Sequence, residues 1–229
     1  MNNTIITLDG HSGCGKSTLA KSLAKELNFL YIDTGAMYRA ISLFFLESNQ
    51  VLKNGILSSY YEKTLDLVNI DFSEPNKNGE SWVRLNGEIV EDRIRNIEIS
   101  NLVSEVSKNT LVRTKMVLIQ QSYSSISNLV MDGRDIGSVV FPNADIKFWV
   151  TASADKRAYR RWLEYKENGK NISIQEVTKN INFRDENDQN RKVSPLIKPE
   201  NSIIIDNTEM SIEETFHFAL NHIQNHLGK

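Results

Sequence analysis

Short apolar runs alternate along this chain with longer segments in which apolar residues recur at every third or fourth position. The short runs predict buried strands, and the longer segments predict amphipathic helices that pack against them. Five runs are typical of core strands, at residues 4–9, 29–32, 129–132, 146–150 and 202–206. Strands that alternate with helices favour an α/β fold with a five-stranded, mostly parallel, doubly wound sheet.

The region between residues 58 and 93 has a different pattern. After a predicted helix around 60–67, it carries short runs typical of antiparallel strands at 69–72, 81–85 and 88–90. Asn86-Gly87 between the last two runs is a strong hairpin signal, and residues 76–79 predict another turn. The sequence thus predicts a small antiparallel sheet inserted into the parallel fold.

Helical periodicity marks most of the remaining chain. We predict helices at 18–27, 36–48, 97–107, 112–125, 174–187 and 212–227, and a charged helix after the fourth core strand. Asp33 or Thr34 is expected to cap the helix at 36–48.

The first predicted strand leads into Gly10-His11-Ser12-Gly13-Cys14-Gly15-Lys16-Ser17-Thr18, which fits the P-loop pattern G-x-x-x-x-G-K-[ST]. The glycines let backbone N–H groups turn toward a bound phosphate, and the following helix adds the positive end of its dipole. Lys16 is expected to reach the β and γ phosphates, and the Ser17 hydroxyl to coordinate Mg²⁺. This segment predicts a nucleoside triphosphate site.

Length and charge narrow the classes of protein that fit. A chain of 229 residues can form one α/β domain with a small insertion, and a net charge of -2 does not support binding to a nucleic acid polymer. No apolar run reaches the roughly 18 residues of a membrane span, and the N-terminus lacks a signal-peptide pattern. We expect a cytoplasmic protein that does not bind membranes, and a monomer because its core and insertion are self-contained.

The single cysteine and the histidine pair near the C-terminus do not predict a disulfide or a metal site. Cys14 is the only cysteine, so it cannot form an internal disulfide; it is either a small residue that fits the loop or a redox-sensitive thiol. His222 and His226 have the i, i+4 spacing of a metal pair but lack the H-E-x-x-H pattern, so we interpret them as solvated helix residues.

Several arginines fall after predicted strands or in polar segments where an acceptor site and a lid would lie: Arg39, Arg134, Arg184 and Arg191. Arginine bonds phosphate bidentately and stays charged, so this local concentration of positive charge favours a phosphorylated small molecule as second substrate. The arginines of the charged helix, which are Arg157, Arg160 and Arg161, could instead form a solvated helix face.

Four blocks of the sequence, in order, resemble the bacterial cytidylate kinases. They are Gly10 to Thr18, residues 33–40 (DTGAMYRA), residues 132–142 (DGRDIGSVVFP) and residues 184–191 (RDENDQNR). With the inserted sheet between the second and third blocks, the match spans nearly the whole chain. The chain departs from the family at His11, where proline is common, at Cys14, where serine or alanine is common, and at Ser17, where glycine is common.

The resemblance implies a nucleoside monophosphate kinase with a P-loop NTPase-type sheet. Its core would comprise residues 1–57, 110–156 and 192–229, with an acceptor-binding insertion at about 58–109 and a helical lid at about 157–191. The implied reaction transfers the γ-phosphoryl group of ATP, with Mg²⁺, to the small-molecule substrates CMP and dCMP.

The family's site residues carry over onto matching positions. The acceptor phosphate would be held by Thr34, Arg39, Arg134 and Arg184. Cytosine would be read by Ser104, Arg113 and Asp135, and the sugar would be held by Asp188 and Arg191. The cations at the transferring group would be Lys16, Arg134, Arg157, Arg161 and Arg184. Ser17 would ligate Mg²⁺, with Asp132 orienting the metal through water and Asp9 as the other nearby carboxylate.

The chemistry of the substrates agrees with this assignment of residues to base, sugar and phosphate. Cytosine presents an amino donor beside an acceptor nitrogen, which a carboxylate paired with a guanidinium matches. Uracil would face the carboxylate with a carbonyl, and the mispairing costs about 1–3 kcal/mol. The attacking phosphate oxygen is already charged near neutral pH, so we expect no general base and catalysis by alignment and positive charge.

Other functions stay open from the residues alone. The nearest is a kinase of the same fold that acts on UMP, dTMP or shikimate. A GTP-binding switch needs an Asn-Lys-x-Asp motif, and Asn76-Lys77-Asn78-Gly79 lacks the aspartate. A non-catalytic nucleotide-binding scaffold would have no use for the arginines.

Overall fold

Eight strands form two sheets in the part of the chain that the computed structural model describes, which is residues 3–51, 57–74, 76, 81–167 and 169–228. In chain order the strands are β1 (Ile5–Gly10), β2 (Leu30–Asp33), β3 (Ile70–Phe72), β4 (Val83–Leu85), β5 (Glu88–Ile89), β6 (Leu129–Gly133), β7 (Ile146–Thr151) and β8 (Ile203–Asp206). The larger sheet has the order β2-β6-β1-β7-β8 and is parallel throughout. The smaller, β3-β4-β5, is antiparallel, so both predicted sheets are confirmed.

Helices cover both faces of the larger sheet. In chain order they are α1 (Lys16–Leu27), α2 (Thr34–Glu47), α3 (Tyr61–Leu65), α4 (Ile97–Val106), α5 (Thr110–Ser122), α6 (Ala154–Glu167), α7 (Ile174–Asn190) and α8 (Ile212–Leu227). Leu23 of α1 and Ile223 of α8 are buried on one face, and Met37 of α2 on the other. Helices α6 and α7 pack on each other around Ala158 and Ile181, in a small core of their own.

Local turn chemistry explains several element boundaries. Asn86 and Gly87 have φ angles of 51° and 88°, the left-handed conformation that a tight hairpin between β4 and β5 requires. The Asp33 side chain accepts the Ala36 N–H at 2.9 Å, so Asp33 rather than Thr34 caps α2. Of the predicted turn at 76–79, only residue 76 lies within the described residues.

A π-helical turn at Ile136–Val140, after β6, was not predicted. Both carboxylate oxygens of Asp9 hold its start, accepting the N–H groups of Ile136 and Gly137 at 2.7 Å each. Local sequence patterns do not predict this contact, because its partners are 127 and 128 residues apart. The turn fixes the chain just after Arg134 and Asp135, which both line the cleft described below.

Within the described ranges, no helix combines the length and the apolar character that crossing a membrane requires.

Candidate active site

A cleft of about 1300 Å³ lies at the carboxyl ends of the strands of the larger sheet. It is lined by six residues of the phosphate loop: Ser12, Gly13, Gly15, Lys16, Ser17 and Thr18. It is also lined by every residue predicted to hold the acceptor: Thr34, Arg39, Ser104, Arg113, Arg134, Asp135, Arg184, Asp188 and Arg191. Ligands bind parallel sheets at this edge, so the fold brings the predicted donor and acceptor residues into one space.

The phosphate loop has the backbone that its glycines predict. A Cβ atom on Gly10 would lie 2.0 Å from the Val150 carbonyl oxygen, so only glycine fits where β1 passes β7. Gly15 has a φ angle of 83° and immediately precedes α1. The Cys14 side chain is fully buried in the core instead of lining the cleft, which favours the interpretation of Cys14 as a small residue that fits the loop.

Lys16 and His11 make side-chain contacts inside and beside the loop. Lys16 Nζ donates to the His11 carbonyl oxygen at 3.0 Å, and burial together with the charge of Arg134 lowers the pKa of this lysine. The His11 ring lies outside the cleft, 2.9 Å from the Gln189 amide nitrogen of α7 and edge-on to Trp149. The His11 imidazole thus packs beside α7 while its backbone carbonyl accepts from Lys16, and a phosphate-binding role of His11 stays a prediction.

Arg157 lies behind the phosphate loop and does not line the cleft. Its guanidinium donates to the carbonyl oxygens of Ser12 at 3.1 Å and Ala152 at 3.0 Å, and to the Asp185 carboxylate at 2.6 Å. Only 6% of this residue is exposed. The prediction put Arg157 among the cations at the transferring group, whereas here its guanidinium is held by the Ser12 carbonyl of the loop, the Ala152 carbonyl after β7 and the Asp185 carboxylate.

Ser17 and Asp132 form the predicted pair for a metal ion. The Ser17 hydroxyl donates to Asp132 Oδ2 at 2.7 Å, and the buried Tyr31 hydroxyl donates to Oδ1 at 2.8 Å. Burial and the nearby charge of Asp33 raise the pKa of Asp132. Both oxygens of Asp9 accept backbone N–H groups of the turn at Ile136–Val140, whereas Asp132 contacts the Ser17 hydroxyl and lines the cleft.

Four arginines that line the cleft influence one another electrostatically, and they are Arg39, Arg134, Arg161 and Arg184. Burial and the charges of Arg134, Arg39 and Arg161 lower the pKa of Arg184 to about 9. Burial and the charge of Arg95 likewise lower the pKa of Arg39 to about 10. Gathering cations against their mutual repulsion is typical of a site that binds an anion.

Two of these arginines are held by neighbouring side chains. Arg39 donates to the Ser100 hydroxyl at 2.8 Å, and Arg134 donates to the Asp188 carboxylate of α7 at 2.8 Å. The Thr34 hydroxyl, also in the cleft, donates to the Asp132 carbonyl oxygen at 2.7 Å. The predicted phosphate-binding residues are thus positioned by short contacts from α4, α7 and β6.

A buried polar cluster joins Arg113, Asp135 and Arg191. Arg113 donates to the Asp135 carboxylate and lies over the Tyr38 ring at 5.3 Å, while Arg191 Nη2 is 3.5 Å from Asp135 Oδ1. Three buried atoms here have no hydrogen-bond partner within the described residues, namely Tyr38 OH, Arg113 Nε and Arg191 Nη2. Buried polar atoms without hydrogen bonds are rare in folded proteins, and these three belong to residues that line one cleft.

Sequence reasoning missed some residues that belong to the site. Arg95 pairs with Asp33 at 3.0 Å across 62 residues, and Asn207 donates to the Cys14 carbonyl oxygen at 2.9 Å across 193 residues. Tyr38 lies within the helix predicted at 36–48, and its contact with Arg113 joins positions 75 residues apart. No spacing rule connects such distant positions, although the place of Asn207 directly after a core strand is a signal that could have marked it.

Comparison with known proteins identifies related sequences over nearly the whole chain. A family model described as cytidylate kinase matches residues 6–225. A protein of Flavobacterium johnsoniae named cytidylate kinase is 44% identical over 216 residues, which is 94% of each chain. A protein of the same name from Bacteroides fragilis is 42% identical over 214 residues, which is 93% of each chain.

Solved structures show similarity of fold at low sequence identity. A Thermus thermophilus protein named TT1252 superposes with a TM-score of 0.50 at 15% identity, covering 99% of both chains. An uncharacterized protein from Eubacterium ventriosum gives a TM-score of 0.53 at 11% identity, covering 97% of this chain and 99% of its own.

Proposed function

The chain belongs to the cytidylate kinase family, and from this premise we propose how its residues carry out the reaction. The enzyme transfers the γ-phosphoryl group of ATP to CMP or dCMP and forms CDP or dCDP. Small-molecule nucleotides are therefore its substrates, with ATP as the phosphoryl donor.

The observation that carries the acceptor assignment is the buried cluster of Arg113, Asp135 and Arg191 with its unpartnered atoms. We propose that the Asp135 carboxylate accepts a hydrogen bond from the amino group of cytosine and that Arg113 donates one to the adjacent ring nitrogen. Ser104, which lines the same cleft, would contact the base as well. Uracil would turn a carbonyl toward the buried Asp135 carboxylate and lose about 1–3 kcal/mol of binding.

The sugar of the acceptor is assigned to Asp188 and Arg191, which lie 3.8 Å apart. Burial raises the pKa of Asp188, but the charge and hydrogen bond of Arg134 outweigh burial, and the net pKa is lowered. Asp188 is therefore ionised and acceptor-only at neutral pH, which suits ribose hydroxyl groups. The same carboxylate holds Arg134, so sugar and phosphate binding would be coupled through it.

The acceptor phosphate is assigned to Thr34, Arg39, Arg134 and Arg184. Lys16, Arg134, Arg161 and Arg184 would neutralise the negative charge of the phosphoryl group during its transfer. Arg157 would act indirectly, by holding the Ser12 carbonyl of the loop. The attacking oxygen belongs to a phosphate that is already charged, so no side chain needs to remove a proton. Alignment and positive charge would supply the catalysis.

Magnesium fits the residues at the start of α1. The Ser17 hydroxyl and Asp132 carboxylate are hard oxygen donors 2.7 Å apart, the donor type that Mg²⁺ prefers. Among the described residues, no three His, Cys, Asp or Glu side chains form a metal site, so phosphate oxygens and water would complete the ligand set. We propose that Ser17 holds the ion and Asp132 orients its water. When bound, Mg²⁺ supplies positive charge at the β and γ phosphates.

We propose the following division of the chain: a core of residues 1–57, 110–156 and 192–229, an acceptor-binding insertion at about 58–109, and a lid at about 157–191. The mutual packing of α6 and α7 around their own small core supports the lid as one unit. A monomer in the cytoplasm, with no binding to membranes or nucleic acid polymers, stays a prediction.

A substrate panel tests the acceptor assignment. With ATP as donor, turnover is measured on CMP, dCMP, UMP, dTMP, AMP and shikimate. We expect the two cytidine nucleotides to exceed UMP in kcat/KM by about tenfold or more, given the cost of mispairing uracil. Equal turnover of AMP would refute the role of Arg113 and Asp135 in reading the base.

A further inference from the structure

Asn207, directly after β8, connects the phosphate loop to α6. Its Nδ2 donates to the Cys14 carbonyl oxygen at 2.9 Å, and its Oδ1 accepts from Arg160 Nη1 at 2.9 Å. Its backbone oxygen accepts from Arg160 Nη2 at 2.8 Å, and its backbone N–H donates to the Thr151 carbonyl oxygen at 2.9 Å. The residue is 4% exposed; its contact with Cys14 is buried, and its contacts with Arg160 are partly buried.

The contact with Cys14 fixes the direction of one peptide group in the loop. The carbonyl of Cys14 and the N–H of Gly15 belong to the same planar trans peptide and point in opposite directions. When Asn207 holds this carbonyl, the Gly15 N–H is held on the opposite side of the same peptide, and Gly15 lines the cleft. Inward-facing N–H groups are what a phosphate loop offers its ligand.

A second carbonyl of the loop is held by a side chain of helix α6. Arg157 Nη1 donates to the Ser12 carbonyl oxygen at 3.1 Å, and Arg160 lies three positions further along α6. Arg157 acts directly, whereas Arg160 reaches the loop through the Asn207 side chain. Two neighbouring arginines of α6 therefore support carbonyl groups of the loop, Arg157 directly and Arg160 through Asn207.

We propose that Asn207, oriented by Arg160, is a positioning residue that presets the Cys14–Gly15 peptide for the phosphates of the donor. Its side-chain amide bonds the Cys14 carbonyl and Arg160 at the same time, so its proposed effect on the donor runs through the loop. The inference rests on the proposed function for the identity of the donor as ATP. It deepens that function by adding a residue that controls donor affinity separately from acceptor affinity.

The variant Asn207→Asp tests this proposal. The carboxylate keeps an acceptor for Arg160 but loses the donor to the Cys14 carbonyl and repels that oxygen. We expect the dissociation constant for ATP, measured by calorimetry, to rise about tenfold, and that for CMP to stay within about twofold. Asn225→Asp, an exposed change of the same charge on α8, is the matched control and should alter neither constant.

Arg160 provides an independent second variant, which also covers a failure of Asn207→Asp to fold. Arg160→Met and Asn207→Ala are each expected to weaken ATP binding several-fold. If Arg160 acts through Asn207, the double variant loses no more than the stronger single variant. Multiplied losses in the double variant would mean that Arg160 contacts ATP directly and would overturn the linkage.

The outcomes separate this inference from the proposed function. Parallel losses of ATP and CMP affinity in folded Asn207→Asp, or an unchanged ATP constant, would overturn the positioning role. Failure of the unaltered protein to phosphorylate CMP would refute the proposed acceptor and leave the ATP comparison valid. Melting curves recorded for each variant establish that the compared proteins are folded.

Discussion

Arg113 donates a hydrogen bond to the carboxylate of Asp135 where both side chains are almost completely buried, at 3% and 5% exposure. Arg113 Nε remains without a hydrogen-bond partner, and the Tyr38 ring packs against the guanidinium. A buried ion pair is weak as a source of stability but demanding in geometry. Its place in the wall of the cleft is the reason we propose it as the element that recognises a ligand with a matching donor and acceptor.

The first prediction concerns Asp135→Asn. We expect kcat/KM for CMP to fall about tenfold to a hundredfold, because the amide turns a donor toward the amino group of cytosine. The same amide can donate to the carbonyl of uracil, so the CMP to UMP ratio falls too. Steady-state kinetics on both nucleotides measure the change, with exposed Asp92→Asn as control. An unchanged Michaelis constant and turnover for CMP would count against the base pocket.

The second prediction concerns Lys16→Ala. Lys16 Nζ now donates to the His11 carbonyl, and burial and Arg134 lower its pKa, so its charge is held in the cleft at an energetic cost. Removing it should cut turnover by about a hundredfold or more while leaving the melting temperature nearly unchanged. Lys25→Ala, exposed on the same helix, should leave turnover as it is. Near-native turnover of Lys16→Ala would refute the assigned role.

Much of this fold could be predicted from sequence because its elements are set by residues that are close together in the chain. Strand, loop and helix follow one another within residues 4–27, and the pattern of each depends on its immediate neighbours alone. The hairpin at Asn86-Gly87 is also set by local sequence, since asparagine and glycine readily take the left-handed conformation that the turn requires. Thr34, Arg134 and Asp135 line the cleft because they follow parallel strands whose carboxyl ends share an edge, whereas Ser104, Arg113, Arg184, Asp188 and Arg191 reach it from helices α4, α5 and α7 or the C-cap of α7.

The remainder of the site depends on contacts between distant positions. Asp9 was considered for the metal because it ends a strand beside the loop, but it holds the turn at Ile136–Val140 through contacts across 127 residues. Arg157 was placed at the phosphates because it is an arginine of the lid, but three short contacts hold it behind the loop. Residue type and order along the chain do not specify which side of a loop a long side chain occupies.

The third prediction separates two arginines of α6. Arg157→Lys keeps the charge but loses the planar fork that bonds Ser12, Ala152 and Asp185. We expect it to lower the melting temperature by several degrees and kcat/KM by about tenfold, because buried acceptors lose their donors. Arg161→Lys, whose partner Glu164 is exposed, should lower kcat without lowering the melting temperature. Equal melting temperatures for the two variants would contradict the bracing role of Arg157.

The last prediction is a pH dependence set by Asp9, which is fully buried. Burial, opposed by the hydrogen bonds from Gly137 and Ile136, raises the pKa of Asp9 from 3.8 to about 7. Between these values the folded protein holds a proton that the unfolded chain releases, so the free energy of unfolding falls as pH rises from about 4 to about 7. The fall attributable to Asp9 is on the order of 3–4 kcal/mol.

Asp9→Asn cannot titrate, so urea unfolding across this range should show the unaltered protein losing stability relative to the variant. Asp132, whose pKa is also raised, is present in both proteins and cancels in the difference. Parallel stability curves, or a gain by the unaltered protein as pH rises, would mean that the two backbone N–H groups keep Asp9 ionised throughout.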